Sequence, residues 1–266
     1  RGAEDQRLVR LARILAAEGL KVYVPHLSGL ARFSESLEDL VRIEEAIGLA
    51  KAEGSESVSL LGFSLGGGYA LVCSANNELA HFIRRVIVIG GHHQLATVWK
   101  TMSEALETLP NRLEHASDNE LYFALGCAYP RLSEERLDES SVNTLRTILW
   151  DFCGGVDLQS VRRFVRTNLL PYWSSIATCH STTSSNELSP AGKLCNVLAP
   201  VTLLHAPDDE LVRLQHAAHN YEELKRRTGK VQTFLPTRLL EHVVPRTRES
   251  LRDVPRLATC FADLLP

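Results

Sequence analysis

The residues with most chemical potential in this chain are Gly62-Phe63-Ser64-Leu65-Gly66, a serine set between glycines directly after the run SVSLL (57–61). A purely structural turn is built as readily from Asn-Gly or Asp-Gly. Small residues on both sides of a hydroxyl fit a strand that turns sharply on the serine and continues as a helix. Such a turn holds Ser64 in strained backbone geometry, and side chains at Gly62 or Gly66 are expected to collide with neighbouring backbone. It also lifts the hydroxyl above the sheet and aims the Leu65 N–H, with the start of the helix, at a developing oxyanion. A serine hydroxyl is a weak nucleophile alone, so this chemistry requires an imidazole base and a carboxylate to orient it.

Both are available further along the chain. The loop APDDELV, after the run VTLLH (201–205), offers Asp208 and Asp209, each of which serves either as that carboxylate or as a cap for a helix near Leu211. The segment LLEHVVP, after VQTFL (231–235), places His242 on the corresponding loop, as the base or as a solvated histidine. All three groups follow apolar strand-like runs, and ligands of open α/β sheets bind at the carboxyl ends of the strands. Among the other histidines, His92 and His93 follow RVIVIGG (85–91), where they either line a pocket or simply begin a polar loop. His216 and His219 share a helix face at a spacing that permits a metal, but with no third ligand nearby they read as surface residues. His205 ends a strand beside the acid loop and reads as structural.

The elements that must position these groups follow from the hydrophobic pattern. Leu8, Leu11, Ala12 and Leu15 give a helix, with Asp5 at its start and Gly19 at its end. KVYVP (21–25) reads as a short buried strand. Ser36 and Asp39 have capping-box spacing before a second helix carrying Leu40, Val41, Ile47 and Ala50, ended by Gly54. Strand 57–61, a helix over GGGYALVCSA and strand 85–91 complete an alternation that predicts a parallel sheet covered on both faces. From His92 to about Ala199 the strand signal stops and helical stretches take over: TVWKTMSEALETL, SEERLDESSVNTLRTILWDF and LQSVRRFVRTNLL, followed by the polar patch ATCHSTTSSNELSP. Trp99, Trp150 and Trp173 all lie here. With Tyr122 and Phe123 they form either an apolar acyl pocket or the core of this segment. After Pro200 the pattern resumes with strand 201–205, a helix from about Leu211 to Arg227, strand 231–235 and a closing helix near Glu249–Leu264. The organisation expected is therefore an α/β core over 1–91 and 200–266, with a helical cap inserted over 92–199.

Composition sets the remaining bounds. The chain has 266 residues, 44% hydrophobic and 23% charged, with a formal net charge of -3, so nucleic acid and anionic membrane are poor partners. Cys73, Cys127, Cys153, Cys179, Cys195 and Cys260 are scattered without zinc spacing and read as reduced thiols of a cytoplasmic protein; no metal or organic cofactor is implied. No apolar run is long enough to span a membrane.

Together these features resemble the α/β-hydrolase superfamily, in particular its capped serine esterase and lipase-like members. The resemblance rests on the G-x-S-x-G stretch, on LLHAPDDELV against a pattern LLHGxxDxxV, and on the late His242-Val243, and it covers nearly all of the chain outside 92–199. It implies Ser64 as nucleophile, Asp209 as triad acid (with Ala206 where glycine is commoner) and His242 as base. The aromatic segment 92–199, with no basic cluster for phosphates, points to a small-molecule carboxylic ester or related acyl substrate, and Phe63, His92 and His93 are candidate pocket residues. In the family a strand before the first helix supplies the second oxyanion donor and lies between the strands expected at 21–25 and 57–61. This sequence begins at that helix. The donor is therefore expected upstream of Arg1, in a longer chain, because a sheet missing an interior strand leaves backbone groups unsatisfied. Other acyl transfers, carbon–carbon hydrolysis and non-catalytic binding by the same fold remain the alternative activities.

Overall fold

The computed structural model describes residues 2–32, 34–132, 138–151, 157–177, 185–226, 232–238, 240–241, 244–245 and 254–262. The chain opens with helix α1 (Gln6–Ala17), the single turn α2 (Ser28–Ala31) and α3 (Leu37–Ala52), followed by strand β1 (Val58–Phe63), α4 (Leu65–Ser74) and β2 (Ile83–Ile89). A helical stretch comes next: α5 (Leu95–Arg112), α6 (Asp118–Leu132), α7 (Glu139–Asp151), α8 (Leu158–Phe164) and α9 (Trp173–Ala177). The sheet then resumes with β3 (Val201–His205), α10 (Leu214–Lys225) and β4 (Gln232–Pro236), before the short β5 (Leu240–Glu241) and β6 (Val244–Pro245), and α11 (Val254–Ala262).

Strands β1, β2, β3 and β4 form one parallel sheet in that order. Phe63 lies opposite Ile89, Ile89 opposite Leu204, and Leu204 opposite Leu235, so the four carboxyl ends share one edge. Successive strand side chains face opposite sides. Val86, Val88, Val201 and Leu203 accordingly pack with Ile47 of α3, Leu71 of α4 and Leu224 of α10. Leu61, Ile87, Ile89 and Leu204 pack with Leu15 of α1 and with Cys260 and Phe261 of α11. Burial on both faces is why β2 and β3 read as continuous apolar runs. The fold class is α/β, with a doubly wound parallel sheet.

The expected strand at 21–25 does not form. Residues 21–27 join no strand among the described residues, and Val24 is 37% exposed. β1 pairs with β2 alone in this sheet. Without a neighbouring ladder an extended segment leaves its backbone groups to solvent or loop contacts.

The helix caps fall partly as expected. Asp5 Oδ1 accepts the Arg7 N–H at 2.9 Å, and Gly19, at φ 86°, stops α1. Ser36 Oγ accepts the Glu38 N–H at 3.2 Å. Asp39 does not close the capping box. Its buried carboxylate turns to α2 and accepts the Gly29 and Leu30 N–H groups at 3.0 and 2.9 Å. The tertiary contact prevails because it satisfies two buried donors with one charged acceptor.

Helices α5–α9 share a core that includes Trp99, Leu106, Leu125, Leu145, Phe164 and Trp173, and that extends to Tyr69 of α4 and Val212 after β3. The helical segment therefore rests on α4 and on the acid loop. The Trp173 indole N–H donates to Leu106 O at 2.9 Å, and Trp99 packs against Phe123 with ring centroids 6.1 Å apart. Core packing is the observed role of Trp99 and Trp173; the Trp150 side chain lies outside the description. α6 has no counterpart in the sequence expectation, because its polar start and its single Pro130 mask an otherwise buried face.

Candidate active site

β1 delivers its carboxyl end directly into Ser64, which has φ 52° and ψ −128° and is the sole non-glycine residue at positive φ among the described residues. A serine in this region costs about 1–3 kcal/mol and persists only where its surroundings over-determine it. They do so here. The Ser64 N–H donates to Ile89 O at 2.8 Å, and the Gly67 N–H donates to Ser64 O at 2.9 Å.

The glycines divide the work unevenly. A Cβ on Gly62 would stand 2.6 Å from both Gly66 O and Gly67 Cα, so no side chain fits there. Gly66 is different: the nearest atom to its notional Cβ is Leu30 Cδ1 at 3.9 Å, and the collision expected there does not exist. Close approach falls instead on Gly67, 2.8 Å from Val88 Cγ1, and on Gly68, 2.0 Å from the His92 ring. The run of glycines after Leu65 thus lets α4 settle onto β2 and onto His92.

At the end of β3 the chain turns through the acid loop. Asp208 is exposed, whereas the Asp209 side chain is completely buried. Asp209 Oδ1 accepts the Leu211 and Val212 N–H groups at 3.0 and 2.9 Å. Neither acid caps α10, whose N-cap is Arg213 with no side-chain hydrogen bond. His205 Nε2 lies 2.6 Å from Val212 O and 3.4 Å from Asp209 Oδ2. Ser64 and the acid loop follow β1 and β3, with only β2 between them, a lateral separation of about 10 Å from the strand spacing. His242 falls outside the described residues. In sequence it lies between β5 and β6, which pair with Glu241 opposite Val244.

The remaining candidates are placed elsewhere. Phe63 packs into the core shared by α1 and α11 rather than lining a pocket. His92 has no exposed surface. Its Nε2 donates to Leu188 O at 3.0 Å, its ring meets Tyr69 edge-on, and burial pushes its pKa down to about 4, which keeps it neutral. His93 Nε2 lies 2.9 Å from a carboxylate oxygen of Glu223. Burial opposes ionisation of Glu223, but His93 and the Gly192 and Leu194 N–H groups outweigh it and hold its pKa low.

His216 is buried, not superficial. Its Nδ1 accepts the His93 N–H at 3.2 Å, and burial together with the neighbouring histidines lowers its pKa to about 4. Asn220 donates to His92 O at 3.0 Å. One face of α10 thus fastens both chain connections of the helical segment, at 92–94 and 192–194. The sequence signal was available in the polar residues His216, Asn220 and Glu223, which recur on one helical face. Among the described residues no group of three His, Cys, Asp or Glu is arranged to hold a metal.

A cavity of about 510 Å³ opens between α5, α6 and the acid loop, walled by Met102, Leu106 and Phe123 and by Asp208, Asp209 and Leu211. Its size lies within the range of small-molecule sites, about 300–1,000 Å³.

No protein-family model matches this chain, and no curated protein matches it. Solved structures do. An acylaminoacyl peptidase from Pyrococcus horikoshii is 17% identical, with a TM-score of 0.39, over 76% of this chain but only 22% of the peptidase. An esterase from a Rhodococcus species is 17% identical over 86% of this chain and 74% of its own, with a TM-score of 0.45. An α/β-fold hydrolase from Bacillus anthracis is 13% identical over 86% and 73%, with a TM-score of 0.45.

Proposed function

We propose that this chain is a serine hydrolase of α/β-hydrolase type that cleaves a carboxylic ester or related acyl substrate. Ser64 Oγ attacks the carbonyl carbon, His242 takes the hydroxyl proton and returns it to the leaving alcohol, and Asp209 holds the imidazole in one tautomer and orientation. The Leu65 N–H, at the unpaired start of α4, stabilises the tetrahedral oxyanion. Water then attacks the acyl-enzyme, with His242 again relaying the proton, and frees the acid.

The observation that carries this reading is the backbone of Ser64. A non-glycine residue held at φ 52° between a strand and a helix is strained, such strain concentrates at functional positions, and the half-buried Ser64 side chain sits on that turn. The buried carboxylate of Asp209 at the same sheet edge supports it. Helices over 92–199 serve in this reading as a cap above the site. Burial pushes the Cys73 thiol up to about 12, which makes it unreactive, and Cys127 and Cys260 are likewise buried. Among the described residues no helix is long and apolar enough to cross a membrane.

The test is covalent labelling by a fluorophosphonate, read by intact mass. Attack by an activated serine forms a P–O bond and expels fluoride. One adduct on the wild type and none on Ser64→Ala is the expected result. No adduct on folded protein would overturn the proposal and direct attention to a binding role.

A further inference from the structure

Beside the acid loop stands a second buried group that the triad does not use. His205 is the last residue of β3, and its side chain, like that of Asp209, is closed to solvent. A carbonyl oxygen only accepts, so the 2.6 Å approach of His205 Nε2 to Val212 O places the imidazole proton on Nε2. The Val212 N–H in turn donates to Asp209 Oδ1, together with the Leu211 N–H. Asp209 N approaches Ala206 O at 3.3 Å, closing the turn behind it. The result is a ring of contacts running from the end of β3 through the imidazole to Val212 and back to the carboxylate. β3 itself lies between β2 and β4 with all five of its residues buried, and His205 O accepts the Thr237 N–H at 2.8 Å.

We propose that His205 is a positioning residue for Asp209. Its Nε2–H clamps Val212 O, which fixes the two backbone N–H groups that hold the Asp209 carboxylate, so the orientation of the acid is referenced to the central sheet rather than to a surface loop. In catalytic terms this rests on the hydrolase reading above. The clamp itself is a property of the loop and is measurable without any activity. Without it, the loop keeps the Asp209 contacts and the packing of Val212 into the helical core but loses its side-chain tie to the end of β3. Removing a donor so that a buried acceptor is left unsatisfied is worth roughly 10–100-fold.

The experiment compares His205→Leu, which fills the space but donates nothing, with His205→Gln, whose amide nitrogen reaches about as far as Nε2. Amide hydrogen exchange is followed at Leu211 and Val212, with Leu203 and Ile87 as references in the sheet. The expected result is at least about tenfold faster exchange at Leu211 and Val212 in the leucine variant, unchanged references, and protection restored by glutamine.

Fluorophosphonate labelling should slow about 10–100-fold in His205→Leu at unchanged half-saturating probe concentration, and recover in His205→Gln. In an Asp209→Asn background the leucine substitution should add little, because it acts through that residue. Unchanged exchange at Leu211 and Val212, or a labelling loss that adds fully to that of Asp209→Asn, overturns the proposal. Should the leucine variant fail to fold, nitrogen NMR of wild-type His205 decides: a slowly exchanging Nε2 proton supports the clamp, and an Nδ1-protonated tautomer overturns it. A protein that shows the clamp but takes no label would refute the hydrolase reading and leave the clamp standing.

Discussion

Ser64 donates its backbone N–H to the carbonyl of Ile89 at 2.8 Å, which extends the β1–β2 ladder one residue past Phe63 and pins the strained residue to the sheet. The turn is thus held on its strand side by β2 and on its helix side by the Gly67 N–H. Strain maintained in this way is released when the residue is changed for one that tolerates positive φ. Ser64→Gly should therefore abolish labelling while raising stability by about 1 kcal/mol, or roughly 2–4 °C in Tm. Thermal denaturation of wild type, Ser64→Ala and Ser64→Gly provides the check; a glycine variant that melts below the alanine variant would contradict the strain.

The two glycines of the motif should respond in opposite ways. Gly62→Ala forces a methyl group into Gly66 O and Gly67 Cα at 2.6 Å, and should cost about 1–3 kcal/mol and displace Ser64 enough to lose labelling. Gly66→Ala meets nothing nearer than 3.9 Å on a helical turn. It should be neutral or stabilising by up to about 1 kcal/mol, with labelling retained. Urea denaturation and intact mass on the pair distinguish these outcomes.

Burial separates the two adjacent acids. In the proposed triad, Asp209→Asn should lower the labelling rate by about 10³–10⁴-fold, because an amide would not hold the imidazole in the same tautomer. Asp208→Asn changes an exposed side chain and should leave the rate within about twofold. Rates measured at saturating probe settle the assignment, and equal losses would reopen it.

Acid should destabilise the fold before ordinary carboxylates titrate. His92 and His216 are both held at about 4 against an ordinary value of 6.5, by burial first and then by neighbouring positive charge. Between those values the unfolded chain binds protons that the folded chain refuses, so stability is full above pH 6.5 and declines as pH falls toward 4. At about 1.4 kcal/mol per pKa unit, each histidine contributes on the order of 3 kcal/mol to that loss. Urea denaturation at several pH values should show this slope, and His216→Gln should flatten it by roughly half. A flat profile over that window would refute the neutral, buried assignment.

Asp39 ties α2 to α3 through the Gly29 and Leu30 N–H groups. Asp39→Ala strands two donors and should cost about 2–4 kcal/mol. Ser36→Ala removes only a local cap and should cost about 1 kcal/mol. Comparable costs in the two variants would mean that the tertiary contact carries no special weight.

Much of this protein is determined by its sequence alone. Four parallel strands were legible at 57–61, 85–91, 201–205 and 231–235, because short runs rich in apolar and β-branched residues and bounded by turn signals are too short for an ordinary helix. The serine turn was legible too, since only glycine at 62 admits the approach of Gly66 and Gly67. What the sequence could not settle depended on which distant elements meet. Asp208 and Asp209 are neighbours in sequence, yet only one faces the Leu211 and Val212 amides. His92 reads as a loop histidine until Gly68 and Leu188 close around it. Lys21–Pro25 reads as a strand but has no strand beside it among the described residues. Periodicity and spacing are local properties of a chain. Burial, the partner of a carboxylate and the protonation of an imidazole are properties of the packed whole, and only the tertiary structure decided them.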